Sequence, residues 1–156
     1  MNLITAAAAT LALAIGGGAM AAPPGVAVRA VKGDFDDIRE RVVLAVENRG
    51  LVLNYTAYVG NMLERTGKDL GRTRPIYGKA EVLEFCSAGA SRATMEADPH
   101  NIAFCPYAIA VYTLAGDAGK VYVSYRKFPA SGFAPSVKAL REVERLLAGI
   151  VRDALK

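Results

Sequence analysis

The sequence has few of the side chains on which most catalytic sites depend. Its 156 residues include no tryptophan, one histidine (His100) and two cysteines (Cys86 and Cys105). A single histidine leaves little room for a Ser-His-Asp triad, and neither Ser87 nor Ser91 lies in the Gly-x-Ser-x-Gly pattern of a nucleophile elbow. The glycine-rich stretches match no phosphate-binding motif. Without a Cys-x-x-Cys-His motif, covalent c-type haem attachment is also excluded.

Charge is absent from the beginning of the chain, where no charged side chain precedes Arg29. Residues 5–15 are apolar, three glycines follow, and Ala19-Met20-Ala21 places small residues where a signal peptidase cleaves. A membrane anchor would need about 20 apolar residues, more than this run offers. We therefore predict a signal peptide over residues 1–21 and a single domain over residues 22–156. The mature protein is expected to be exported, to the periplasm, with no membrane span after cleavage.

The formal net charge of +4 is spread along the mature chain rather than gathered in one basic stretch. The nearest approach to a cluster is Lys68, Arg72, Arg74 and Lys79, in a glycine-rich connection. A nucleic-acid interface typically combines a basic stripe with interleaved aromatic side chains. No nucleic-acid partner is therefore expected.

Hydrophobic periodicity predicts alternating strands and helices. Strands are expected over residues 26–31, 51–59 and 81–86, followed by a hairpin of residues 102–114 and 120–127. Helices are expected after an N-cap at Asp34, over residues 61–70, over residues 87–97 with Ser87 as the cap, and after a cap at Ser136. This order favours an α+β fold, a single small domain with a mixed, largely antiparallel sheet covered by helices. The connection over residues 60–78 is expected to be the least ordered or to face a partner.

The two cysteines are separated by 19 positions, and each lies at the end of a predicted strand. In an exported protein, an even cysteine count favours a disulfide between Cys86 and Cys105. Closing such a loop contributes about 3 kcal/mol in the chain-entropy model. A second interpretation is a reactive thiol, because Cys86 directly precedes a predicted helix whose N-terminus would lower the thiol pKa.

A third interpretation is ligation of a cofactor. Cys86, His100 and Cys105 could bind zinc or copper, and Met95 could join a soft set for Cu(I). Haem is the other candidate, with His100 as an axial ligand and Cys105 or Tyr107 nearby. The plainest interpretation of His100 is a solvent-exposed loop residue. The candidate ligand-binding residues are thus His100, Cys105 and Tyr107.

Two short segments carry a family resemblance. Leu83-Glu84-Phe85-Cys86, followed by Ala88 and Ala90, precedes an acidic-proline turn; Phe104-Cys105-Pro106 then leads into an apolar strand over residues 108–112. This arrangement resembles the core of the family called domain of unknown function 302, from about Gly33 to the final helix. The resemblance implies a small α+β fold, a homodimer and no agreed activity, and it carries over no catalytic residues.

Taken together, these observations favour an exported, non-enzymatic binding or accessory domain. Its partner would be a small-molecule ligand or another exported protein, received near Cys86, His100 and Cys105. The alternative is a haem-binding or metal-binding redox protein that uses the same region.

Overall fold

The computed structural model describes residues 22–117 and 119–156, and the predicted signal peptide lies outside these residues. Within these residues, five strands and five helices follow one another. They are β1 (Val26–Lys32), α1 (Phe35–Glu47), β2 (Val52–Ala57), α2 (Val59–Gly67), β3 (Tyr77–Cys86), α3 (Ala88–Ala97), a 3₁₀ helix (Pro99–Phe104), β4 (Tyr107–Leu114), β5 (Lys120–Arg126) and α4 (Ala134–Ala154).

The strands form one sheet in the order β1-β5-β4-β3-β2, and every neighbouring pair is antiparallel. The predicted α+β class is confirmed. α1 and α4 pack together against one face of this sheet. Between them lies a core of strand and helix side chains: Leu83, Phe85, Ile109, Val111, Val121, Val123, Val42, Val46, Val143, Leu147 and Ile150.

Local side-chain chemistry explains where two of the helices begin. The Asp34 carboxylate accepts hydrogen bonds from the backbone N–H groups of Asp36 (2.7 Å) and Asp37 (3.3 Å), which would otherwise lack partners at the start of α1. These bonds hold the pKa of Asp34 below its usual value. At α3, the Ser87 hydroxyl accepts from the Ala90 N–H at 3.4 Å. Both predicted caps are therefore confirmed.

The predicted cap at Ser136 is wrong. α4 begins at Ala134, with Pro135 in its first turn, where a missing N–H costs nothing. Ser136 lies inside the helix and is buried. Its hydroxyl is engaged elsewhere, donating to Asn101 Oδ1 at 2.9 Å, and so does not cap α4.

The predicted strand over residues 102–114 begins later than expected. Its first part belongs to the 3₁₀ helix, which starts where the Asp98 carboxylate accepts a hydrogen bond from the His100 N–H at 2.9 Å. Pro99 fixes the backbone angle needed at the first helical position. β4 therefore starts at Tyr107. In residues 22–117 and 119–156, no helix combines the length and apolar character needed to span a bilayer.

Candidate functional site

The candidate site lies at the end of the sheet where β3 finishes and β4 starts. Phe85 pairs with Tyr107 across these antiparallel strands, so the residues just beyond that pair share one end of the sheet. Cys86 is the last residue of β3, and Cys105 stands two positions before β4, joined to Pro106 by a cis peptide bond. The register of the two strands thus brings the cysteines together from 19 positions apart.

The two cysteine sulfurs are in contact. Cys86 Sγ lies 3.3 Å from Cys105 Sγ, and either thiol can donate the hydrogen bond between them. Both residues are half-buried, and no disulfide joins them in this structure. The two thiols are the most reactive side chains among the predicted site residues, and they lie side by side.

Two hydroxyl groups complete what we call the cysteine cluster: Cys86, Cys105, Ser91 and Tyr107. Ser91 Oγ lies 3.7 Å from Cys105 Sγ and donates a hydrogen bond to Tyr107 Oη at 3.4 Å. Sequence reasoning considered Ser91 only as a nucleophile and missed this role. The available signal was its position four residues after the cap Ser87, which places Ser91 one turn into α3 on the same face as that cap.

Tyr107 supports the cluster from the core side. The residue is only 2% exposed, and its ring makes edge-to-face contacts with Phe85 (6.4 Å between centroids) and Phe128 (6.5 Å). Such aromatic pairs favour one fixed orientation of the ring. Tyr107 therefore lies in the core next to the cysteine cluster, and it exposes little surface to a ligand.

The environment of Cys86 favours the protonated thiol. Burial is the main cause that raises the pKa of Cys86. The hydrogen bond with Cys105, and electrostatic repulsion of the Cys86 thiolate by Cys105 and by the Glu84 carboxylate, raise it further. The position before α3 was expected to lower this pKa, but desolvation and neighbouring groups outweigh it. Because the thiolate is the nucleophile, a raised pKa lowers the reactivity of Cys86 near neutral pH.

The His100 side chain is not part of the cysteine cluster. It is exposed on the 3₁₀ helix, and its backbone N–H, rather than its ring, makes the hydrogen bond to Asp98. Among the residues that the structure describes, no three His, Cys, Asp or Glu side chains are placed to hold a metal ion. The structure thus brings together Cys86, Cys105 and Tyr107 from the predicted site, and it does not bring His100 into a ligand set with them.

The surface next to the cluster carries exposed apolar side chains. Ile102, three positions before Cys105, is 63% exposed, and Phe133, just before α4, is 61% exposed. The hydrogen bond from Ser136 to Asn101 joins the two segments that carry them. We call Ile102 and Phe133, with the exposed His100, the apolar end surface.

These observations define the class of the protein. It is a small single-domain α+β protein with a cysteine pair at the adjoining ends of two neighbouring strands. The model of the family described as "Domain of unknown function DUF302" matches residues 27–154. The chain therefore belongs to the DUF302 family, as the resemblance of its cysteine segments implied.

One solved structure is similar to this fold over most of its length. It is the crystal structure of an uncharacterized conserved DUF302 protein from Bacillus stearothermophilus, with a TM-score of 0.67 and 15% sequence identity. The match covers 85% of this chain and 99% of that chain. At this identity the likeness supports the fold alone. No curated protein matches the sequence.

Proposed function

We infer that the mature chain is an exported, non-enzymatic binding or accessory domain of the periplasm, and that it works as a homodimer. Its Cys86–Cys105 pair closes as a disulfide after export, and it receives a small-molecule ligand or an exported protein at the adjacent surface. The observation that carries this proposal is the 3.3 Å contact between the two sulfurs at the end of β3 and β4.

Disulfide formation requires only a small movement of the cysteine side chains. A disulfide has an S–S bond of about 2.05 Å, so the sulfurs must approach each other by about 1.2 Å. In an oxidising compartment an external disulfide can oxidise two thiols in contact by exchange, accepting their two electrons and two protons and leaving as a dithiol. Closing a 19-residue loop contributes about 3 kcal/mol in the chain-entropy model. The raised pKa of Cys86 favours a lasting bond, because a thiol of high pKa is a poor leaving group in disulfide exchange.

The disulfide would also fix the binding surface. The 3₁₀ helix that carries Ile102 runs directly into Cys105, so a bond to Cys86 ties this segment to the rigid end of β3. Ordering a surface before it binds lowers the entropy cost of binding. Exposed apolar side chains beside an imidazole suit an apolar side chain of a partner or an apolar small molecule.

A thiol titration of the mature protein tests the proposal. Protein isolated from the periplasm without reductant is denatured and its thiols are counted, before and after treatment with a reductant. We expect no free thiol before reduction and two afterwards. Cys86→Ala supplies the matched control, because it leaves Cys105 as a single thiol under both conditions. Two free thiols before reduction would overturn the disulfide.

A visible spectrum and elemental analysis of the same preparation test the binding-domain assignment. A Soret band, or a stoichiometric metal that is lost in His100→Ala, would replace it with a haem or metal redox protein. Steady turnover of a defined substrate that is abolished by Cys86→Ala would make the protein an enzyme and contradict the proposal. A colourless, metal-free protein supports it.

A further inference from the structure

The side of the sheet that faces away from α1 and α4 forms a broad surface, which we call the open sheet face. The cross-strand register arranges its side chains in three parallel rows. Within residues 22–117 and 119–156, the buried cluster between the sheet, α1 and α4 includes no residue of these rows. One row member, Ala80, is buried at 8% exposed, where α2 packs against β3. The role of this face, argued next, rests on the homodimer of the proposed function and not on the cysteine pair.

The middle row consists of small side chains. From β2 to β1 its members are Ala57, Val82, Ala110, Ser124 and Val28. Four of the five are partly exposed, and only Ser124 is buried, at 9% exposed. A row without long or charged side chains is flat, so a second sheet can approach it closely. Such a face can pack against a second sheet in the aligned arrangement.

The row on one side of it is aromatic at its centre. Tyr112 and Tyr122 stack with their ring centroids 5.3 Å apart, and they are flanked by Ala80 on β3 and Ala30 on β1. Burial is the main cause that raises the pKa of Tyr112, so its phenol is uncharged at neutral pH.

The row on the other side carries one charge of each sign. Glu84 on β3 pairs with Ala108 on β4, and continuing the β4–β5 register by one residue places Ala108 opposite Arg126. Glu84 and Arg126 are therefore separated by two strand spacings, about 10 Å between their backbones. Among the described residues, neither takes part in a salt bridge.

A second copy of this chain can form ion pairs with both Glu84 and Arg126. A twofold axis that runs along β4, between two sheets packed face to face, places β3 of one copy over β5 of the other. Glu84 then lies over Arg126 of the partner subunit, and symmetry repeats this pair on the other side of the axis. Ala110 lies over its own symmetry mate. The other in-plane axis, across the strands, would place the charged row over the tyrosine row and pair no charges.

We propose that the open sheet face is the homodimer interface, with Ala110 on the twofold axis and two Glu84–Arg126 pairs across it. Five strands about 4.8 Å apart and three rows about 6.8 Å apart give a patch about 24 Å wide and about 20 Å long. This corresponds to a flat area of about 480 Å², compared with the about 800 Å² per partner of a standard interface. An aligned packing of two twisted sheets is the geometry this surface permits.

Sedimentation equilibrium of the mature protein and of its variants, over a range of concentrations, tests the interface. Wild type should sediment as a dimer. Ala110→Glu places two like charges against each other on the axis and should yield a monomer, while Ala93→Glu makes the same change at an exposed position on α3 and should leave the dimer intact. A thermal melt confirms that each variant is folded.

A charge reversal identifies the partner residues. Glu84→Arg alone should weaken the dimer about tenfold or more, because it faces Arg126 of the partner subunit. The double change Glu84→Arg with Arg126→Glu restores opposite charges and should restore the dimer. A monomeric wild type, a dimer that survives Ala110→Glu, or a double variant no better than the single one would overturn the proposal. Cys86→Ala with Cys105→Ala should remain dimeric, which separates this outcome from failure of the disulfide.

Discussion

Ser136 and Asn101, 35 positions apart, are joined by a hydrogen bond of 2.9 Å between two buried side chains. The Asn101 amide also donates to the Thr94 carbonyl at 2.8 Å. A single side chain thus connects the 3₁₀ helix to α3 and to α4. This connection holds the segment that precedes Cys105 in place.

Replacing Asn101 tests that connection. Asn101→Ala leaves the buried Ser136 hydroxyl without its acceptor and removes one of the two hydrogen bonds of the Thr94 carbonyl, which still accepts from the Asp98 N–H. An unsatisfied buried polar group costs about 1–3 kcal/mol. We expect the free energy of unfolding to fall by about that amount, measured by urea denaturation. His100→Ala, the same truncation at the exposed neighbouring position, is the control and should change it by about 0.5 kcal/mol or less. Equal effects of the two changes would contradict this role of Asn101.

The pH dependence of alkylation tests the environment of Cys86. In the reduced protein, the rate at which iodoacetamide modifies Cys86, followed by mass spectrometry, should rise only at a higher pH than for a free cysteine, since the pKa is raised. In Cys105→Ala the midpoint should move down, because the neighbouring thiol no longer contributes, but stay above that of the unfolded chain, because burial remains. A midpoint below the unfolded value would instead indicate an activated thiol.

The cap of α1 gives a stability effect with a defined pH window. The pKa of Asp34 is lowered in the folded state, chiefly by the N–H groups of Asp36 and Asp37. The stabilisation is therefore present above the unfolded pKa and is lost as the pH falls through the folded pKa. Asp34→Ala should lower the melting temperature at pH 7, and the difference from wild type should shrink in acid. Asp37→Ala removes the same charge without the cap and should have a smaller effect at pH 7.

The apolar end surface is tested with a fluorescent apolar probe, 8-anilinonaphthalene-1-sulfonate, which binds exposed hydrophobic surface. Ile102→Ser should reduce its binding to the oxidised protein, since a 63% exposed side chain is removed from the surface. Leu44→Ser, a matched change at a 48% exposed position on α1, should leave binding unchanged. The same reduction in both variants would show that the probe does not distinguish this surface.

Much of this fold follows from local sequence signals. The caps at Asp34 and Ser87 were predictable because each side chain satisfies N–H groups two or three residues away. The contact between Cys86 and Cys105 was foreseeable because both stand at strand ends near turns. In each case the deciding interaction is close in sequence or follows from strand pairing.

Other features depended on partners far away in the chain. The Ser136 hydroxyl has its partner 35 positions away, so its neighbours in sequence suggested a cap instead. β3 begins at Tyr77 rather than at Glu81, because its first residues pair with the end of β4 although Gly78 and Lys79 break the alternating pattern. The open sheet face could not be predicted without the strand order, because its rows combine residues from different strands.

Disulfide mapping of the periplasmic protein tests the central claim most directly. Cells are treated with N-ethylmaleimide to trap free thiols, and the purified protein is digested and analysed without reduction by mass spectrometry. We predict one peptide pair linked through Cys86 and Cys105 and no maleimide on either residue. Maleimide adducts on both cysteines of the mature protein would contradict it.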